Sequence, residues 1–289
     1  MPELPEIETI KNGLLEKVLG KPILEVEVNN ASVLRGGKNI FKKTLGGESF
    51  TDITRRGKML IFEIGENVAD KKFLLARLGM TGRLVYFDSD DALWGGYSFK
   101  DKKSFSHKHC HVIFTFEGGG VLLFCDVRRF GYMEIVDEMG LKNKLEEFGP
   151  EPLSPDFTLG IFRDIARNKK TNIKAFLLNQ KYIAGIGNIY ADEILFESKI
   201  DPQRSIDSLS VKEIRAVYDA IGKILKKAVA NRGTTFSDYV DAAGDKGNFK
   251  KFLKVYGRAG EQCLRCDTKK IRKIKIAGRG TSYCECCQK

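Results

Sequence analysis

No apolar run in this 289-residue chain approaches the roughly 20 residues that a membrane-spanning helix needs. The first residues, Met1-Pro2-Glu3-Leu4-Pro5-Glu6, are acidic and lack the basic and apolar regions of a signal peptide. The expectation is a soluble intracellular protein, in surroundings where thiols stay reduced. Histidine is scarce: the chain has three, all within residues 107–111. Side chains two apart on a strand share a face, so these three allow a metal-ligand reading. Against it, Cys110 would point to the opposite face and no carboxylate groups with the histidines. Cysteine is also sparse until the end, five of the seven lying between residues 263 and 287. Cys110 and Cys125 sit in strand-like surroundings and read as buried core residues.

What the chain does have is positive charge. Lysine and arginine number 49 against 38 acidic residues, a net +11, with a pI near 9.2. That excess points to a polyanionic partner, nucleic acid first, although a generally basic proteome gives the same balance. The length allows two domains with cores of their own. The N-terminus carries a second chemical possibility. Removal of Met1 would expose Pro2 as a secondary amine, and an α-amino group with a pKa of about 8 is partly neutral near pH 7. Such an amine can attack an aldehyde-like carbon and form an iminium. Glu3 beside it and Glu6 one turn on offer carboxylates for proton transfer. The plainer reading is that Pro2 and Pro5 only start a helix.

Ile7, Ile10, Leu14 and Val18 recur at helical spacing, and Gly20 is placed to end that helix. From about residue 23 to 136 the pattern is strand-like, with Leu24, Val26 and Val28 alternating and glycine turns such as Gly118-Gly119-Gly120. Many short strands with glycine turns suggest a β-sandwich or barrel. Three prolines fall within residues 150–155 and mark a boundary. Helices then follow at about 173–180 and 188–197, separated by Ala184-Gly185-Ile186-Gly187. Asn188 is placed to cap the second of them, and its N-terminus can hold a phosphate. Ser210 and Glu213 predict a capping box, and the apolar stripe from Ile214 to Ala228 predicts a core helix ending near Gly233.

The last 27 residues hold the sharpest local motif. Cys263-x-x-Cys266 and Cys284-x-x-Cys287 have the spacing of a four-thiolate structural zinc site, with Cys286 the spectator. Between the pairs, Lys273 to Ile276 alternate as a strand and Ala277-Gly278-Arg279-Gly280 reads as a turn, so the segment is a zinc ribbon with Arg279 at its tip.

Pro-Glu-Leu-Pro-Glu at the N-terminus, followed in order by the later motifs, resembles the bacterial formamidopyrimidine-DNA glycosylase family. Leu4 stands where the related endonuclease VIII branch usually has glycine. The resemblance spans the chain and implies an α+β fold: an N-terminal β-sandwich (1–148) led by a catalytic helix, a helix-two-turn-helix region (149–258) and a zinc ribbon (259–289). It implies a bifunctional DNA glycosylase and abasic-site lyase acting on oxidised purines in double-stranded DNA. By the same resemblance the protein is a cytoplasmic, nucleoid-associated monomer with one structural Zn2+.

The resemblance also implies roles for residues. Pro2 is the nucleophile, Glu3 the acid/base, Lys58 a lysine beside the damaged nucleotide, and Glu6 a supporting carboxylate. Met80, in Arg77-Leu78-Gly79-Met80-Thr81-Gly82, and Arg128 and Phe130, in Asp126-Val127-Arg128-Arg129-Phe130-Gly131, fill the gap left by an extruded base. Lys108 and His109 lie near phosphate, Lys174 and Asn188 belong to the two-turn motif, Tyr239 to the loop over the lesion pocket, and Arg279 contacts phosphates. Arg77 replaces the more usual histidine and Cys110 the usual aspartate. Read from residue chemistry alone, Lys58 is a basic turn residue and Phe130 a core aromatic; a lone Met is usually core filling, but Gly79 and Gly82 on either side place Met80 at a loop tip. Two rival readings stay open: a catalytically silent zinc-ribbon DNA-binding protein, and an endonuclease VIII-like glycosylase for oxidised pyrimidines.

Overall fold

The computed structural model describes residues 2–88, 93–94, 97–98, 109–236 and 239–289. The chain divides into two units: Met1–Glu146 with Arg232–Asn248, and Glu147–Asn231 with Phe249–Lys289. The resemblance placed residues 232–248 within the helical region; in the structure they group with the first unit.

The first unit opens with α1 (Leu4–Val18), whose predicted stripe of Ile7, Ile10, Leu14 and Val18 is buried. Pro5 lies in the first turn, where a missing backbone N–H costs nothing. There follow β1 (Ile23–Val28), β2 (Leu34–Arg35), α2 (Lys38–Leu45), β3 (Phe50–Arg56), β4 (Met59–Ile64), β5 (Lys72–Arg77) and β6 (Gly82–Phe87). The short β7 (Leu93–Trp94) and β8 (Tyr97–Ser98) precede β9 (Cys110–Phe116), β10 (Val121–Asp126), β11 (Tyr132–Asp137) and α3 (Glu138–Glu146). Helix α2 falls inside the stretch expected to be all strand. It anchors itself through Phe41 and Leu45 alone, too few apolar positions to show a helical period.

The strands form a four-stranded sheet, β1-β9-β10-β6, and a five-stranded sheet, β2-β11-β5-β4-β3. Alternation sends one set of side chains from each sheet into a common core. Phe50 meets Phe114 and Phe116 at centroid distances of 6.1 and 6.2 Å in edge-on geometry, so aromatic rings tie the two sheets together. The sandwich reading holds.

The register of β9 on β10 changes at one point. Phe124 pairs with Val112, but Cys125 pairs with Cys110. The extra residue on β9 is His111, and a bulge of one residue reverses which face the next side chain occupies. Cys110 therefore joins Cys125 in a small cluster with Val85, Phe87 and Leu123, and the two form a disulfide. Both are buried, as read from the sequence, but they are joined to each other, whereas the expected reducing surroundings would leave them as free thiols.

The second unit is helical: α4 (Leu159–Ala166), α5 (Ile173–Leu178), α6 (Asn188–Ser198) and α7 (Val211–Ala230), then the hairpin of β12 (Arg272–Ile276) and β13 (Arg279–Tyr283). The capping box at the start of α7 is present: the Ser210 side chain accepts from the Glu213 amide, and the Glu213 carboxylate accepts from Ser210 N at 2.7 Å. The cap of α6 is Gly187, not Asn188, which is the first residue inside the helix. Among the described residues, no helix is long and apolar enough to cross a membrane.

The disulfide fixes a countable outcome. Alkylation in denaturant with a metal chelator and no reductant should modify five cysteines, matching the five free ones, and all seven after reduction. Seven modified without reductant would show the pair unbonded.

Candidate active site and nucleic-acid interface

In the first unit Pro2 is buried and precedes α1. Glu3 is the N-cap residue, and both Glu3 and Glu6 are almost wholly buried. The Glu6 carboxylate is the organising group. Its Oε2 accepts from Glu3 N and its Oε1 from Thr234 N, each at 2.7 Å. One side chain thus joins the first turn of α1 to a segment 228 residues away. Gly233 sits at φ +72°, and a Cβ there would come within 2.6 Å of Glu6 Oε1. Only glycine fits both the backbone and the space.

The β3–β4 turn brings in Lys58, which is buried. Arg55 Nε donates to Glu8 Oε2 at 2.7 Å and its Nη1 to Gly57 O at 3.0 Å. The turn that carries Lys58 is thereby tied to α1. Burial raises the Glu8 pKa, but hydrogen bonds from Lys11 and Arg55 outweigh it and leave the carboxyl below its ordinary value. Glu8 is therefore a lasting anion for Arg55.

Two loops meet elsewhere on the same unit. Phe130, Arg128 and Met80 are all exposed. The Arg128 guanidinium lies 4.6 Å over the Phe130 ring, and its Nη1 is 3.6 Å from Met80 Sδ. Exposed apolar side chains gathered on a cation are unusual for a core-filling role. They are held out by Asp126, which is fully buried. Its carboxylate accepts from Thr81 Oγ1, from Arg128 N at 3.2 Å and from Gly131 N at 2.8 Å. A Cβ on Gly79 would fall 2.7 Å from Gly131 N, and one on Gly131 2.7 Å from Arg77 O. The loops cross at glycines because nothing larger can pass.

In the second unit the zinc-type motif closes as expected. The four sulfurs of Cys263, Cys266, Cys284 and Cys287 all lie within 4.8 Å of one another. Cys263 Sγ to Cys287 Sγ and Cys266 Sγ to Cys284 Sγ are each 3.8 Å. A tetrahedron with Zn–S bonds of about 2.3 Å has edges of about 3.8 Å, so the thiols fit zinc. Cys286 is exposed and outside the group. Hydrogen bonds from Thr268 draw the Cys266 thiol down to about 5, while burial pushes the Cys284 and Cys287 thiols up; four clustered thiols resist losing their protons together, and a bound cation offsets that. Among the described residues this is the one cluster of metal-ligand type. His111, whose Nε2 is 2.7 Å from Asp126 O, serves the loop scaffold instead.

Three family models match the chain: the formamidopyrimidine-DNA glycosylase N-terminal domain over residues 1–133, the helix-two-turn-helix domain of the same glycosylases over 148–240, and a zinc finger found in FPG and IleRS over 260–289. The formamidopyrimidine-DNA glycosylase of Desulforamulus reducens is 40% identical, covering 100% of this chain and 99% of the relative. That of Listeria innocua is 39% identical with both chains fully covered. The chain belongs to the formamidopyrimidine-DNA glycosylase family. A structure of Lactococcus lactis Fpg with DNA containing an abasic site superposes with a TM-score of 0.87 at 36% identity, covering 99% of each chain. A mutant of that enzyme with DNA containing Fapy-dG gives 0.88, again at 36% identity and 99% of each chain.

Within this glycosylase family chain, the structure groups Pro2, Glu3 and Glu6 at the head of α1, and Met80, Arg128 and Phe130 at one loop crossing. Lys108 lies outside the described residues, while His109 is half-buried just before β9. Two expected DNA contacts are interior. Tyr239 is buried, with its hydroxyl on Arg232 O at 3.1 Å and near Glu6 O at 3.5 Å. Burial raises its phenol pKa well above the ordinary value, so it stays a neutral donor. Lys174 is fully buried in an ion pair with Asp192. Asn188 donates to Gly280 O at 2.9 Å. Arg279 is exposed at the hairpin turn.

Sequence reading missed Asp192 and Glu193, and the buried, steric roles of Asp126 and Gly233. Glu193 is buried and accepts from the amides of Lys254, Val255 and Tyr256 at about 3 Å. Acidic residues in a helix read as a solvated face; nothing local marks α6 as buried all round.

Two outcomes follow from these contacts. Phe130→Ala with Met80→Ala should reduce activity on lesion-bearing duplex at least tenfold more than lyase action on a single-stranded abasic site, because refilling a stack is worth roughly a few kcal/mol only in duplex. Equal losses on both substrates would indicate a packing role. Cys263→Ser should lower zinc content towards zero and weaken DNA binding, measured by metal analysis and titration; full metal and normal binding would refute the site.

Proposed function

We propose that the protein is a base-excision repair glycosylase and abasic-site lyase that removes oxidised purines from double-stranded DNA, with the Pro2 nitrogen as nucleophile. The observation that carries this is the head of α1. Pro2, whose nitrogen becomes a secondary amine once Met1 is removed, lies two residues before the helix and next to the buried Glu3; the buried Glu6 carboxylate is fixed from both sides by backbone amides. A silent DNA-binding protein has no use for that arrangement, since burying carboxylates is costly unless they are paired or hydrogen-bonded. The Lactococcus lactis structures hold DNA with an abasic site and with Fapy-dG, which supports the same substrate class here.

The damaged nucleotide must leave the stack before any side chain can reach its sugar. Phe130 and Met80 would fill the space, as apolar wedges do when they kink a duplex. Arg128 would offer its donors to the base left behind. With Met1 removed, the Pro2 lone pair attacks C1′, the C1′–N bond breaks, and the base leaves with a proton. The ring opens and the nitrogen lone pair forms the iminium. Loss of a C2′ proton then expels the 3′ phosphate, and a second elimination expels the 5′ phosphate.

Glu3 takes and returns protons at the opened sugar. Glu6 holds the turn that carries Pro2 and Glu3. Lys58 adds a cation and a proton relay on the turn held by Arg55. Arg279 meets phosphate. Zinc, when bound, supplies structure alone by cross-linking the two ends of the ribbon. The reading includes monomeric action in a cytoplasmic, nucleoid-associated setting.

Borohydride trapping on a duplex with one 8-oxoguanine opposite cytosine tests it. The expected result is a covalent complex whose adduct maps by mass spectrometry to Pro2, lost when Met1 is retained. An adduct on Lys58 would remove Pro2 as nucleophile. Binding without trapping would leave the silent DNA-binding protein, and a preference for oxidised pyrimidines would favour the endonuclease VIII-like alternative.

A further inference from the structure

The hairpin of β12 and β13 is attached to the two-turn helices by buried polar groups rather than by apolar packing alone. Lys174, on α5, is fully buried, as is Thr281 on β13, and Asp192 on α6 is 1% exposed. The Lys174 ammonium donates to Asp192 Oδ1 at 2.6 Å, to Thr281 Oγ1 at 2.7 Å and to Gly280 O at 3.2 Å. Asp192 Oδ2 accepts from Ser282 N at 2.8 Å. The Thr281 hydroxyl in turn donates to Arg279 O at 3.3 Å. Asn188 adds its Nδ2 to Gly280 O at 2.9 Å. The backbone of residues 279–282 is therefore gripped at Arg279 O, Gly280 O and Ser282 N, while the Arg279 side chain itself is exposed.

A buried ion pair is a weak device for stability, since well-packed apolar groups of the same volume serve as well or better. What it does supply is direction, because the Lys174 ammonium, both Asp192 oxygens and the Thr281 hydroxyl each have a defined partner. Every member of this set ends on the strand that begins with Arg279. Its neighbour Glu193 holds the chain that enters the ribbon, through the amides of Lys254, Val255 and Tyr256, and the zinc-type cluster holds the ribbon's far end. We infer that Asp192, Lys174 and Thr281 are positioning residues that preset Arg279 for a DNA phosphate. Lys174, fully buried, acts on this strand from within the unit. The inference rests on the reading of Arg279 as a phosphate contact.

Binding to a duplex with a tetrahydrofuran abasic-site analogue tests it, using the full zinc-loaded chain. Thr281→Val keeps the shape and removes the hydroxyl. It should weaken binding roughly three- to tenfold and make the slope of log K against log salt shallower by up to about one unit, as loss of a single phosphate contact does. Thr281→Ser should restore most of the affinity. In an Arg279→Ala background, Thr281→Val should change the affinity by less than about twofold, because residues acting through one shared group do not add. The paired substitution Asp192→Asn with Lys174→Met removes both buried charges without orphaning either. It should raise hydrogen exchange in the peptide covering 279–283 with zinc content unchanged.

Equal losses in both backgrounds would mean a general structural role and overturn the inference, as would unchanged affinity in Thr281→Val. If Arg279→Ala alone leaves affinity and slope unaltered, the phosphate reading of Arg279 fails. The anchoring is then decided by exchange: loss of protection in the paired variant sustains it, and retained protection overturns it.

Discussion

The chemistry assigned to the N-terminus depends on a single buried carboxylate. Glu6 must commit both oxygens to backbone amides, because an ionised group out of water is tolerated only when fully partnered. Those amides belong to Glu3 and Thr234, so satisfying the charge also fixes the first turn of α1 against the segment that follows α7. The backbone at Glu3, one residue after Pro2, is held in place. The same demand dictates Gly233, since the approach of the Glu6 side chain leaves no room for a Cβ. Tyr239, buried nearby with its hydroxyl on Arg232 O, completes the packing around that turn.

A second buried carboxylate does the corresponding work at the loop crossing. Asp126 collects Thr81, Arg128 and Gly131, and its own carbonyl meets the bulged His111. The interior of the loop is polar and satisfied, so the apolar side chains Met80 and Phe130 are free to face outward. This inverts the usual arrangement of a folded protein. It is the arrangement needed by side chains that enter a stack of bases. The disulfide between Cys110 and Cys125 lies one residue before Asp126, at the register shift that aims His111 inward.

In the second unit, two adjacent acidic residues on α6 divide the labour. Asp192 is pushed up to about 7 by burial, opposed by the charge and hydrogen bond of Lys174, and it faces the hairpin. Glu193, also raised by burial, faces the amides of residues 254–256 that lead towards the ribbon. Between them and the four cysteines, the ribbon is held at several points by groups of fixed geometry. A small hairpin with little apolar core of its own needs such fastening.

The sequence by itself determined the fold class, the zinc-type site and the candidate amine at the N-terminus. Those features are local: a periodicity, a CxxC spacing, a proline exposed by removal of one residue. It also placed Met80, Arg128 and Phe130 in motifs whose glycines now have a steric reason. Only the tertiary structure decided which polar residues face inward. The resemblance put Lys174 and Tyr239 at the DNA, yet both are buried; Asp126 headed a motif without showing that it faces inward, and Asp192 and Glu193 gave no sign of burial. Cys110 met Cys125 through a one-residue bulge that strand alternation cannot foresee. The physical reason is common to all of these. Whether a charged or polar group is buried depends on partners that arrive from distant parts of the chain, and a sequence window contains none of them.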